Sequence, residues 1–199
     1  MKVVVIGATG NIGRAIVNEL GARHELIEVG KSRGQQQVDI TQSDSVKALF
    51  QRLGRVDAIV SAAGGVHFGP LAEMTAELFS VGLHNKLLGQ VNLALVGQHH
   101  LSDGGSITLT SGILGDEPVR QGSNATTVNA ALEGFARAAA IELPRGQRIN
   151  VVNPTVLTES MEAYQSFFRG FEPAPAARVA LAYSRSVEGS QTGRVYRVW

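Results

Sequence analysis

No cysteine occurs anywhere in the chain, which removes disulfides, thiolate metal sites and a cysteine nucleophile from consideration. Aromatic side chains are scarce, at 6% with one tryptophan, and the three tyrosines (Tyr164, Tyr183 and Tyr196) all fall after Pro154. Charge is thin and balanced, 18 basic against 17 acidic side chains. The concentrated basic face of a nucleic-acid-binding domain is missing, so nucleic acid is not an expected partner. Apolar runs such as Val3 to Ile6 are far too short for a bilayer, and no membrane partner is expected. Met1-Lys2 leads straight into that run with no apolar leader before it. These absences together fit a reducing, cytoplasmic setting.

What remains is an ordinary globular composition of 199 residues, 44% of them hydrophobic. That length supports one domain over residues 1–199, and no repeat, low-complexity tract or linker divides it. Short β-branched runs alternate with helical periodicities, which predicts an α/β doubly wound, Rossmann-type fold. Strands are expected over 2–7, 25–30, 36–40, 56–61, 106–110, 148–153 and 194–198, giving a mainly parallel seven-stranded sheet with helices on both faces. Helices are expected over 11–20, 43–53, 76 to about 101 in two pieces, 126–143 and 174–186.

Between the first strand and the first helix stands Gly7-Ala8-Thr9-Gly10-Asn11-Ile12-Gly13. Glycines at Gly7, Gly10 and Gly13 permit a tight turn, a close approach of backbone to phosphate, and close packing of helix on sheet. The helix N-terminus then offers free N–H groups and its dipole to a pyrophosphate. The second strand ends Val29-Gly30-Lys31-Ser32-Arg33, with two cations where NAD-binding versions place an acid. Lys31, Ser32 and Arg33 therefore point to the 2′-phosphate of NADP(H) in preference to NAD(H).

Several motifs in order resemble the short-chain dehydrogenase/reductase family along essentially the whole chain. Asp39-Ile40-Thr41 is similar to its Asp-Val-Thr segment, and Ser61-Ala62-Ala63-Gly64 to its Asn-Asn-Ala-Gly segment. Asn85 falls where the family has its helix-kinking active-site Asn, and Ser111 matches its catalytic Ser. Ala130-Ala131-Leu132-Glu133-Gly134 resembles the stretch following the family's active-site Lys. Asn153-Pro154 resembles the start of its Pro-Gly segment, and Ser190-Gln191-Thr192-Gly193 the turn into its last strand. The resemblance implies an oxidoreductase acting on a small carbonyl or alcohol substrate, with Ser111 and Asn85 in the catalytic centre. It also implies that Asp39, Ile40, Ala62, Ala63, Gly64, Asn129 and Pro154 join the glycine turn in holding the dinucleotide. A homodimer built on the alanine-rich helix is a further implication.

Two departures stand against those matches. Counting back from Ala130 puts Asn129 at the family's Lys position and Ala125 at its Tyr position. Losing a positioned general acid removes about 10²–10⁴ in rate, a barrier of about 3–5 kcal/mol. Two readings follow. One is a reductase with another proton donor, drawn from Thr126, Thr127, Tyr164 or water relayed through Asn85. The other is a non-catalytic NADP(H)-binding regulatory or assembly protein on the same scaffold. His99-His100 and Asp116-Glu117 read as solvated surface groups. His84 and Lys86 read as structural, because helical neighbours of Asn85 face away from it. No metal site is expected.

Overall fold

The computed structural model describes all 199 residues. Its strands are β1 (Lys2–Ile6), β2 (Glu25–Gly30), β3 (Gln36–Gln37), β4 (Val56–Ser61), β5 (Leu101–Thr110), β6 (Arg148–Pro154) and β7 (Val195–Val198). They form one seven-stranded sheet in the order β3-β2-β1-β4-β5-β6-β7, and every neighbouring pair is parallel. A parallel sheet needs both faces covered, and β1 shows why its sequence is apolar throughout. Val3 and Val5 join one apolar cluster while Val4 and Ile6 join the other, all at 1% exposure or less. Each such burial contributes about 1.5–3 kcal/mol.

Helices α1 (Asn11–Leu20) and α7 (Ala176–Glu188) cover one face, with Ile16, Leu20, Val179 and Tyr183 fully buried. The other face carries α2 (Ser43–Leu53), α3 (Ala76–Gly82), α4 (Leu88–Gly97) and α5 (Ser123–Ala139). Phe50, Leu93, Val128 and Leu132 fill that layer. A short α6 (Met161–Tyr164) lies in the segment between β6 and α7. Phe168 from this segment packs in a third, smaller cluster with Ile113, Leu114, Ala125 and Val156.

The direction in which successive strands are added reverses between β1 and β4, and the carboxyl ends of the strands open a crevice there, where such sheets bind ligands. The fifth helix runs Ser123–Ala139 instead of 126–143, and three further differences from the sequence expectation stand out. The third strand stops at Gln37 instead of Ile40, because the Asp39 carboxylate accepts from the Thr41 N–H at 3.0 Å and its hydroxyl at 2.7 Å and closes a turn. The fifth strand starts at Leu101, running through turn-forming residues by way of a register shift against β4. Most consequentially, α3 and α4 are not separate helices but one run joined by a π turn over Leu83–Leu87.

Candidate active site

The turn after β1 is held by its surroundings. Gly7 lies at φ +86°, and its N–H donates to Val29 C=O at 2.8 Å. A Cβ at Gly13 would stand 2.6 Å from the Ala8 Cα, so α1 can pack on this turn only without one. The N-terminus of α1 has no side-chain cap, and the N–H groups of Asn11, Ile12 and Gly13 meet no acceptor within the chain. Three aligned donors at a helix start form an anion cradle. Beside it runs a cleft of about 280 Å³ lined by Gly7, Thr9, Gly10, Lys31, Asp39, Ile40, Ala62, Ala63, Gly64 and Asn85, among others. Lys31 pairs with Asp39 at 3.0 Å. The Thr41 hydroxyl and the Lys31 ammonium hold the Asp39 carboxyl below the usual carboxylate range. Ser32 and Arg33 stand exposed at the rim, outside that lining. Cradle, cleft and open donors fit a dinucleotide.

A second cleft of about 300 Å³ adjoins the first and shares Gly64 with it. Its walls are mostly apolar, with Val66, Phe68, Ile113, Leu114, Val156, Leu157 and Phe168. Asn129, Pro154 and Ile12 also line it. Thr155 contributes a buried hydroxyl with no hydrogen-bond partner, a group suited to a bound polar ligand.

Asn85 and Lys86 diverge where the π turn ends, and the Leu88 N–H reaches back five residues to Leu83 C=O. Asn85 Oδ1 accepts from the Gly65 N–H at 2.8 Å, so the carboxamide braces the loop after β4 and faces the nucleotide cleft. Lys86 enters the apolar cleft instead. Its Nζ donates to Ser111 C=O at 2.9 Å and to Asn129 Oδ1 at 2.8 Å. Burial pushes the ammonium down from its ordinary value to about 8. The stem presses on Gly64 (φ +114°), where a Cβ would meet the Lys86 Cα at 2.7 Å. Lys86 thus faces away from Asn85, as expected, but the π turn adds a residue to the helical register and the side chain reaches the apolar cleft rather than solvent.

The placement of Ser111 also differs from expectation. Its hydroxyl donates to Glu133 Oε1 at 2.9 Å, and the residue is 2% exposed. Glu133 also accepts from Asn153 Nδ2 at 2.7 Å, and Asn153 Nδ2 reaches Asp116 Oδ2 at 2.8 Å. Asp116 in turn pairs with Arg197 at 2.8 Å. The cleft therefore receives the Ser111 backbone carbonyl, through Lys86, while the hydroxyl is committed on the other side. Successive residues leaving a strand point to opposite faces. It is Gly112 whose absent side chain faces the site, since a Cβ there would stand 3.2 Å from Asn129 Nδ2. Ala125 is fully buried beside Ile113 and Leu114. Of the alternative donors, Tyr164 lines the cleft at 40% exposure, with its ring 6.0 Å from that of Phe68. Thr127 Oγ1 donates to Ser123 C=O at 3.0 Å, a bond internal to α5. Asn11, expected at the cradle, also donates through Nδ2 to Ser160 Oγ at 3.2 Å, tying the glycine turn to the segment before α6.

A parallel sheet of this order, a glycine turn feeding an uncapped helix and an adjoining apolar cleft define a nucleotide-binding oxidoreductase scaffold. The chain belongs to the short-chain dehydrogenase/reductase family, and residues 10–195 match the family model described as Enoyl-(Acyl carrier protein) reductase. It is similar throughout to the protein lin1944 from Listeria innocua, at 48% identity and a TM-score of 0.98 over 100% of both chains. A small-chain dehydrogenase in complex with NADPH superposes at a TM-score of 0.88, with 27% identity over 100% of this chain and 96% of that one. Among curated relatives, Hydroxynaphthalene reductase arp2 of Aspergillus fumigatus is 28% identical over 79% of this chain and 67% of its own. Tetrahydroxynaphthalene reductase PfmaG of Pestalotiopsis fici is 31% identical over 72% of this chain. This chain spans 61% of the length of that second reductase. No helix is long and apolar enough to cross a membrane.

Proposed function

We propose that the protein is an NADP(H)-dependent oxidoreductase that interconverts a small carbonyl compound and its alcohol. The observation that carries this reading is the meeting of two clefts at Gly64, one built for a dinucleotide and one apolar with a single ammonium at its floor. When bound, the reduced nicotinamide supplies a hydride. The chain's own residues bind and orient. Asn11, Ile12 and Gly13 present their N–H groups to the pyrophosphate, and Asp39, Ile40, Ala62 and Ala63 enclose the adenosine. Asn129 and Pro154 line the apolar cleft together with the unpartnered Thr155 hydroxyl. Phe68, Tyr164 and Phe168 exclude water from an apolar substrate. Preference for the phosphorylated cofactor rests on Lys31 and on Arg33, which has no acidic partner, at the end of β2. The NADPH complex of a similar dehydrogenase is consistent with it.

The substrate class is supported by the apolar lining and by relatives named as reductases of hydroxynaphthalenes. A homo-oligomer is supported by Leu88 and Leu95 on α4 and Ile141 just past α5, which are 50%, 52% and 88% exposed. Fluorescence titration with NADPH and NADH, followed by turnover on ketones, aldehydes and quinones, tests the proposal. Tighter binding of NADPH and oxidation of it by at least one carbonyl is the expected result. Binding of neither cofactor overturns the reading. Tight NADPH binding with no turnover overturns the catalytic part and leaves a binding protein on this scaffold.

A further inference from the structure

Lys86 carries the only charged side chain in the lining of the apolar cleft. An ammonium has three N–H donors. Two are fixed, by the Ser111 carbonyl at 2.9 Å and the Asn129 carboxamide oxygen at 2.8 Å. The third meets no acceptor in the chain. Both fixing groups are neutral, and Lys86 forms no ion pair, so no carboxylate competes for its remaining proton. Ala125 and Gly112, at the same floor, contribute no polar side-chain atom. The residue is also costly to keep there, since Gly64 must lack a side chain to admit its stem.

We propose that Lys86 is the catalytic proton donor of this site, handing its third proton to the oxygen of the substrate carbonyl, with Asn129 as its positioning residue. The inference rests on the oxidoreductase reading above. As the carbonyl carbon receives the hydride from the reduced nicotinamide dinucleotide, the π pair of the C=O bond moves to oxygen. That oxygen takes a proton from Nζ, and the N–H bonding pair stays behind on a neutral amine. The substrate gains two electrons and two hydrogens, the cofactor is oxidised, and the amine regains a proton from solvent through the open cleft. In the reverse direction the neutral amine accepts the alcohol proton. An ammonium that ionises near neutral pH suits both directions. The other titratable group lining the cleft is Tyr164, in the segment over it, and Glu133 on α5 lies behind Ser111.

The test compares Lys86→Met and Asn129→Asp with wild type. Carbonyl reduction by wild type falls as pH rises through about 8, and alcohol oxidation rises through the same midpoint. Lys86→Met lowers reduction by about 10²–10⁴-fold while its NADPH affinity, read by fluorescence, stays within about threefold. Asn129→Asp sets a carboxylate against the ammonium and moves the midpoint up by about one unit or more. NMR titration of the Lys86 side chain reads the same shift without turnover. Reduction by Lys86→Met within about threefold of wild type, or a midpoint unmoved in Asn129→Asp, overturns the donor role and leaves the oxidoreductase reading intact. A wild type that binds NADPH and reduces nothing overturns both.

Discussion

Replacing Ser111 by alanine separates two accounts of this site, because they assign its cost to different observables. If the hydroxyl oriented the substrate, its loss would fall on turnover. In the structure it donates to Glu133 Oε1 at 2.9 Å from a position 2% exposed, and Glu133 is itself only 5% exposed. Deletion takes one of two short hydrogen bonds from a buried carboxylate, leaving Asn153 Nδ2 at 2.7 Å and Arg137 at 3.8 Å. A hydrogen bond to a charged group contributes about 1.5–3 kcal/mol. For a domain of this size each kcal/mol shifts the melting temperature by about 2–4 °C. Thermal unfolding followed by circular dichroism should therefore show a fall of about 3–12 °C for Ser111→Ala. Lys86 keeps its backbone acceptor at residue 111, so NADPH affinity and carbonyl reduction should stay within about threefold. An unchanged melting temperature with turnover down by 100-fold or more would refute this and return Ser111 to the substrate.

Other outcomes follow from the same geometry. Replacing Lys31 and Arg33 together by alanine should weaken NADPH binding by about tenfold or more and leave NADH within about twofold, checked by fluorescence titration. The folded pKa of Lys86 lies below its unfolded value, so its contribution to stability improves as pH rises from about 8 to about 10.5. Denaturant titrations should show wild type gaining about 2–4 kcal/mol on Lys86→Met across that window, and equal curves would show that the ammonium is not buried. Gly64→Ala combines a φ of +114° with a Cβ 2.7 Å from the Lys86 Cα. It should cost about 2 kcal/mol or more in chemical unfolding and displace Lys86, lowering reduction with it.

The sheet was readable because β1 is apolar on both faces and β4 and β6 are rich in buried β-branched residues, a pattern that a covered parallel sheet satisfies. The glycine turn was readable because backbone requirements leave few residue choices at Gly7 and Gly13. Side-chain direction was not. Ser111 sits at the end of β5, where an offset of one residue exchanges the two faces, and motif spacing does not carry that information. The place of Lys86 in the cleft lining was missed for a related reason. Helical periodicity assumes 3.6 residues per turn, and the stretch Leu83–Leu87 breaks that assumption without proline or any composition that marks it. The one cue available was chemical: a lysine immediately ahead of the apolar pair Leu87-Leu88, in a helix otherwise poor in charge.

That π turn has a consequence for how such a site arises. An extra residue in a helix costs little where the chain can bulge, yet it rotates everything before it by about 100° relative to everything after. Removing one residue from 83–87 would restore an even helix and swing a different side chain toward Asn129. A lysine-bearing floor and a floor without one are thus separated by a single codon, a step that no series of point substitutions has to approach gradually.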